Sequence, residues 1–250
     1  GWFYHRRTAR TDIYFVSNHS QEKIDDTYLF RSPYRKAAWW SPVDGSRRPL
    51  KAEETQDGRV SLRLSLAEWE SGFVILSDGL PDGSADHNSG EVNTLPIKGG
   101  WDVTFAPRWG GPGTIRMDTL YDWTVSNNPG VKYYSGTATY TKTLHGVEVP
   151  AGRRVFLSLE SLRDVARVYV NSKEAGVLWC APLELDITNY LQSGENELRI
   201  EVANTWVNRM IFDARQPQSK RVTYAYPEVV TPKDKLIPSG ITGEVKLSVK

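Results

Sequence analysis

Cysteine is almost missing. Cys180 is the only one in 250 residues, which excludes an internal disulfide and a cysteine-based zinc site without fixing the redox compartment. No run approaches the roughly 18 uninterrupted apolar residues of a spanning helix, so no membrane span is expected. Neither charge sign dominates: 31 Lys and Arg stand against 30 Asp and Glu, a formal net charge of +1. So balanced a field gives no case for nucleic acid or an anionic membrane as partner. The four histidines, His5, His19, His87 and His145, lie far apart and match no metalloprotease spacing. Gly110-Gly111-Pro112-Gly113 lacks the Lys and Ser/Thr of a phosphate-cradling loop, and no G-x-S-x-G nucleophile elbow occurs. Gly1 stands where Met would, with no basic-plus-apolar leader after it. The amino end is therefore expected to be processed, truncated or engineered.

Rings and turn formers are plentiful. Nine Trp, twelve Tyr and seven Phe accompany 20 Gly and 14 Pro, a composition that favours strands over helix bundles. Alternation supports this. Val155, Leu157 and Leu159 share one face of a strand, as do Leu198, Ile200 and Val202, then Val245, Leu247 and Val249, and earlier Leu62, Leu64 and Leu66. Asp12 to Ser17 and Phe73 to Ser77 are more continuously apolar and read as central strands, and no window shows a sustained helical period. Turn signals fall at Asp44-Gly45, Asp57-Gly58, Asn128-Pro129-Gly130 and Ser193-Gly194. The expected fold is all-β, a β-sandwich followed by a second sandwich. The boundaries are a small unit over 1–79, a linker over 80–94 carried by the polar stretch Asp78 to Gly90, and a larger unit over 95–250. Asp213 to Asp234 is a second long polar stretch with no strand pattern, the kind of loop that is functional or mobile.

The chemistry is sparse. Asp78, Asp82 and Asp86 could supply oxygen ligands, but Leu80 at the third position and Ser89 at the twelfth break the calcium-loop template, so a solvated linker is preferred. No cofactor is expected, and no ligand set for a structural calcium can be read from spacing. Thirty acids allow many carboxyl pairs, and spacing nominates none as a glycosidase pair. Cys180 follows Trp179 in an apolar stretch and reads as a buried structural thiol. What remains is a segment rich in rings interleaved with amides and guanidinium groups, which suits the C–H faces and hydroxyl rim of a sugar. Most rings belong in a core. The candidate carbohydrate contacts are Trp123, Tyr133, Tyr134, Trp179, Trp206, Asn208 and Arg209, with rings beside turn signals favoured.

Val168 to Ser172, Gly176 to Leu178, Asp186 to Leu191 and Gly194 to Asn204 together resemble the jelly-roll sugar-binding domain of family 2 glycoside hydrolases. In that pattern a V-x-V-N-G hairpin precedes a G-V-L strand, a D-I-T turn and a G-E-N-x-L-x-I-x-V-x-N strand. Ser172 replaces the hairpin glycine. A wider set of strings resembles the carboxyl-terminal region of α-L-rhamnosidases of glycoside hydrolase family 106. It comprises Phe105 to Pro112, Asp122 to Thr124, Pro129 to Ala138, Val177 to Cys180, Asn204 to Arg209 and Pro238 to Gly240. Tyr4 to Arg7 followed by Asp12 to Asn18 looks like the segment leaving that family's barrel.

The resemblance implies a galactose-binding-like jelly-roll, an upstream catalytic (β/α)₈ barrel in the same protein and a rhamnose-containing glycan as partner. It also implies a secreted or periplasmic location. No eight-fold strand–helix alternation fits here, so this chain is not expected to hydrolyse a glycoside alone. A purely structural interdomain module and a self-contained glycosidase are the alternative readings.

Overall fold

The computed structural model describes residues 2–81, 93–223 and 230–250. Most of the expected linker, with Asp82 and Asp86, lies outside these residues. Two compact units divide the chain, one of Gly1–Gly90 with Cys180–Pro182, the other of Glu91–Trp179 with Leu183–Lys250.

The first unit contains β1 (Trp2–Arg7), β2 (Asp12–Ser17), β3 (Ile24–Phe30), β4 (Ala37–Trp40), β5 (Arg47–Leu50), β6 (Ala52–Glu54), β7 (Val60–Leu66) and β8 (Ser71–Leu76). Five of them form a sheet in the order β1-β2-β8-β4-β5, and the others form β3-β7-β6, all paired antiparallel. The two apolar segments expected to be central, β2 and β8, are interior strands of the larger sheet. Alternation in β7 buries Val60, Leu62, Leu64 and Leu66 against Tyr14, Trp39, Val74 and Leu76 of the other sheet. The result is a small sandwich.

The second unit contains β9 (Asn93–Pro96), β10 (Trp101–Phe105), β11 (Gly113–Met117), β12 (Thr137–Leu144), β13 (Val155–Leu162), β14 (Val165–Val170), β15 (Lys173–Leu178), β16 (Glu184–Asp186), β17 (Asn196–Ala203) and β18 (Ile241–Val249). A six-stranded sheet runs β11-β10-β12-β17-β14-β15 and a four-stranded sheet runs β16-β13-β18-β9. Both are antiparallel. Val103, Phe105, Tyr140, Val168 and Ile200 of one sheet share a core with Val155, Leu157, Leu159, Val245 and Leu247 of the other. Two antiparallel sheets on a common core are a β-sandwich.

Two elements depart from the expected all-strand pattern. The turn signal at Asn128-Pro129-Gly130 starts a short helix, α1 (Pro129–Lys132), with the Asn128 side chain accepting from Gly130 N. A two-turn helix, α2 (Val207–Ala214), follows β17 directly. Its buried face holds Asn208, Arg209, Ile211 and Asp213. Three of these four are polar, and although Val207, Met210, Ile211 and Ala214 keep a helical spacing, eight residues are too few for a sustained period.

The motif strings account for local structure. In the β14–β15 hairpin Val170 pairs with Lys173, leaving Asn171 (φ 51°) and Ser172 (φ 63°) as a two-residue loop with both φ angles positive, the signature of a type I′ turn. Asn171 secures it by donating to Tyr190 O and Asn196 Oδ1 while accepting from Glu197 N. In the D-I-T turn Asp186 accepts from Thr188 N, and the Thr188 hydroxyl accepts from Val155 N at the start of β13. Among the described residues no helix is long and apolar enough to cross a membrane.

Candidate functional site

The seven candidate contacts separate into enclosed and exposed groups. Trp123 has no accessible surface, and Tyr134 has 1%. Phe105 meets both rings edge-on, at centroid distances of 5.2 and 4.9 Å. The Tyr134 hydroxyl accepts from Ala106 N and donates to Thr137 O. A ring enclosed on every side has no face to offer a sugar, so Trp123 and Tyr134 are core residues, contrary to their assignment as contacts. Their places beside turn signals are deceptive because α1 and the 3₁₀ turn Trp123–Val125 fold back over the sandwich end.

Asn208 is buried as well, and its amide is committed. Nδ2 donates to Ile237 O at 2.7 Å and Oδ1 accepts from Ile237 N at 2.8 Å. Asn204, at the end of the G-E-N strand string, is used the same way: Oδ1 accepts from Gly136 N and Nδ2 donates to Tyr134 O and Ser239 Oγ. The two amides tie the start of α2 to the segments before β12 and β18. They position the helix and leave little for a ligand.

Trp206, Tyr133 and Arg209 do come together, with residues that sequence reading left out of the candidate set. Trp206 is 40% exposed and meets Trp109 edge-on at 5.2 Å. Tyr133 lies 4.7 Å from Phe212. Arg209, only 8% exposed, has its guanidinium 5.2 Å from the Phe212 ring centre and against Gly110, the chain neighbour of Trp109. Trp179 is 60% exposed, and no ring contact joins it to this group among the described residues.

Gly110 explains how the arginine fits. A Cβ there would lie 2.3 Å from Arg209 Nη1, and φ is +78°, so both space and backbone demand glycine. Gly111 is likewise pressed against Phe105. The glycine run that failed as a phosphate loop is thus the cover over Arg209. That run beside the Asn208-Arg209 pair was the available signal, but their adjacency is tertiary.

The face is basic. Arg108 lies over the Trp109 ring, and Lys132 and Arg215 lie over the Tyr133 ring. Arg215 also donates to the Tyr133 hydroxyl at 3.0 Å. Cations over ring faces are held by the ring quadrupole. The nearby carboxylate, Asp213, has its Oδ2 occupied by Val222 N, Thr223 N and Thr223 Oγ1. Its Oδ1 lies 3.0 Å from Arg209 Nε, yet neither atom has a hydrogen-bond partner of proper geometry. The arrangement offers aromatic walls and hydrogen-bond donors. Among the described residues no group of three or more His, Cys, Asp or Glu could hold a metal ion.

Residues 67–250 match the family described as "Glycosyl hydrolases family 2, sugar binding domain". The chain belongs to this family. The matched sugar-binding-domain span includes every residue of the Trp206 face. A protein of Formosa agariphila named "Putative beta-glucuronidase" is 33% identical over 180 residues, covering 62% of this chain and 16% of that relative. The solved structure of a rhamnosidase from Novosphingobium sp. PP1Y superposes with a TM-score of 0.86 at 31% identity. It covers 99% of this chain and 24% of that one. The chain therefore spans about a sixth and about a quarter of these two proteins.

Proposed function

We propose that this chain is the non-catalytic carbohydrate-binding accessory region of an α-L-rhamnosidase-like glycoside hydrolase of the family 106 type. One observation carries the proposal: likeness to the Novosphingobium rhamnosidase runs through 99% of this chain yet accounts for 24% of that enzyme. In this reading a small sandwich over 1–79 and a linker over 80–94 lead to a jelly-roll over 95–250. An upstream barrel of the same secreted or periplasmic protein does the hydrolysis. The Trp206 face contacts a rhamnose-containing glycan, with Trp109, Trp206 and Tyr133 offering ring faces.

Isothermal titration of the chain with rhamnose-containing oligosaccharides tests this, with Trp206→Ala as the paired variant. Heat that falls at least several-fold in the variant supports the reading. No heat with any oligosaccharide removes carbohydrate binding and favours a purely structural module. Release of aryl alcohol from an aryl rhamnoside by the chain alone would overturn the non-catalytic part.

A further inference from the structure

We infer that the Trp206 face selects a sugar bearing a carboxylate over its neutral counterpart. The inference rests on the carbohydrate-binding reading and adds the class of sugar.

The first observation is Arg209. Its side chain is nine-tenths buried, enclosed by Gly110, Phe212 and Asp213. A buried guanidinium normally has its fork of donors matched by a carboxylate. Here the neighbouring carboxylate, Asp213, meets only the Nε edge of the guanidinium, at 3.0 Å. Asp213 gives one oxygen to three donors of Val222 and Thr223, and the other meets Arg209 Nε without hydrogen-bond geometry. Asp213 thus holds one edge of Arg209, and among the described residues no hydrogen bond engages Nη1 or Nη2.

The second observation is charge. Among the described residues in ring or ion contact here, Arg108, Lys132, Arg209 and Arg215 are basic and Asp213 is the one acid. This surplus is local, since the whole chain carries a formal +1. A neutral sugar needs rings and hydrogen-bond partners of both kinds. A face with rings and almost only cationic donors is built for acceptors with negative charge. A uronic acid supplies both halves: a C–H face for Trp206 and Trp109, and a planar carboxylate for a guanidinium.

The experiment uses the whole chain and two probes, a disaccharide of rhamnose and glucuronic acid, and the same disaccharide with its carboxyl reduced to the alcohol. Titration calorimetry is expected to show the acid binding about tenfold more tightly, a gap typical of a charged hydrogen-bonded pair. The gap should close in Arg209→Gln. Should that variant fail to fold by circular dichroism, Arg215→Gln and Arg108→Gln, both on exposed residues, should each narrow it. Equal affinity for the two probes would overturn this inference and leave carbohydrate binding standing. A gap that survives unchanged in all folded variants would also overturn it. No binding of either probe would remove the carbohydrate reading itself.

Discussion

The indole Nε1 of Trp123 donates a 2.6 Å hydrogen bond to the phenolic oxygen of Tyr140, and neither residue has accessible surface. Burial pushes the Tyr140 phenol far above its ordinary value, so it remains protonated throughout the working range. The pair joins strand β12 to the 3₁₀ turn at Trp123 across the core. Tyr140→Phe leaves the indole N–H buried without an acceptor, which should cost about 1–3 kcal/mol. Urea unfolding reads this directly. An unchanged midpoint would show that the bond contributes nothing.

Ser172 invites a stabilising change. It holds φ at 63° in an exposed turn, a region where a Cβ is penalised and glycine is not. Ser172→Gly should raise stability by about 0.5–1 kcal/mol, the strain relief being partly offset by the freer unfolded chain. Thermal unfolding should show a higher midpoint with the same circular dichroism spectrum.

Asp164 should make stability depend on pH. Burial, with a further contribution from the Asp122 charge, outweighs the hydrogen bond from Gly240 N and pushes its carboxyl up to about 6. A folded value above the unfolded one means the folded state binds the proton more readily. This residue therefore weakens the fold above pH 6, and the penalty is relieved as pH falls from 6 towards about 4. Asp164→Asn keeps an oxygen for Gly240 N and removes the charge. The variant should gain stability over wild type at pH 7.5 and lose that advantage by pH 4.

In the first unit Asp12 behaves oppositely. It is fully buried and accepts from Arg7 Nε, Arg7 Nη2, His5 Nε2 and Ser32 Oγ. Burial alone would raise its pKa, but the hydrogen bonds from Arg7, Ser32 and His5 outweigh it and hold the carboxyl below the usual value. Its stabilising effect is thus present above about pH 4 and lost as pH falls below that. Asp12→Ala strands the buried Ser32 hydroxyl, while Arg7 and His5 can turn to water, and should cost about 1–3 kcal/mol at pH 7, a loss that shrinks in acid. Chemical denaturation at pH 7 and pH 3 checks both parts.

The positions of β7, β13, β17 and β18 and the all-β class follow from the sequence by itself, because alternation every second residue is a property of the single strand. The cap at Asn128 is equally local, its side chain accepting from Gly130 N two residues on, whereas the bonds that secure Asn171 and Thr188 reach Glu197 and Val155. What only the tertiary structure decided is which rings are core and which are surface. Trp123 is enclosed by Phe105, Tyr134 and Tyr140, whereas Trp206 keeps an open face, though both stand at the start of a helical turn. The helix α2 is inconspicuous for a related reason: it spans eight residues, three of the four on its buried face are polar, and the groups that enclose Asn208 and Arg209 include the distant Ile237 and Gly110. Burial and pairing of this kind depend on residues distant along the chain, so no window of sequence contains them.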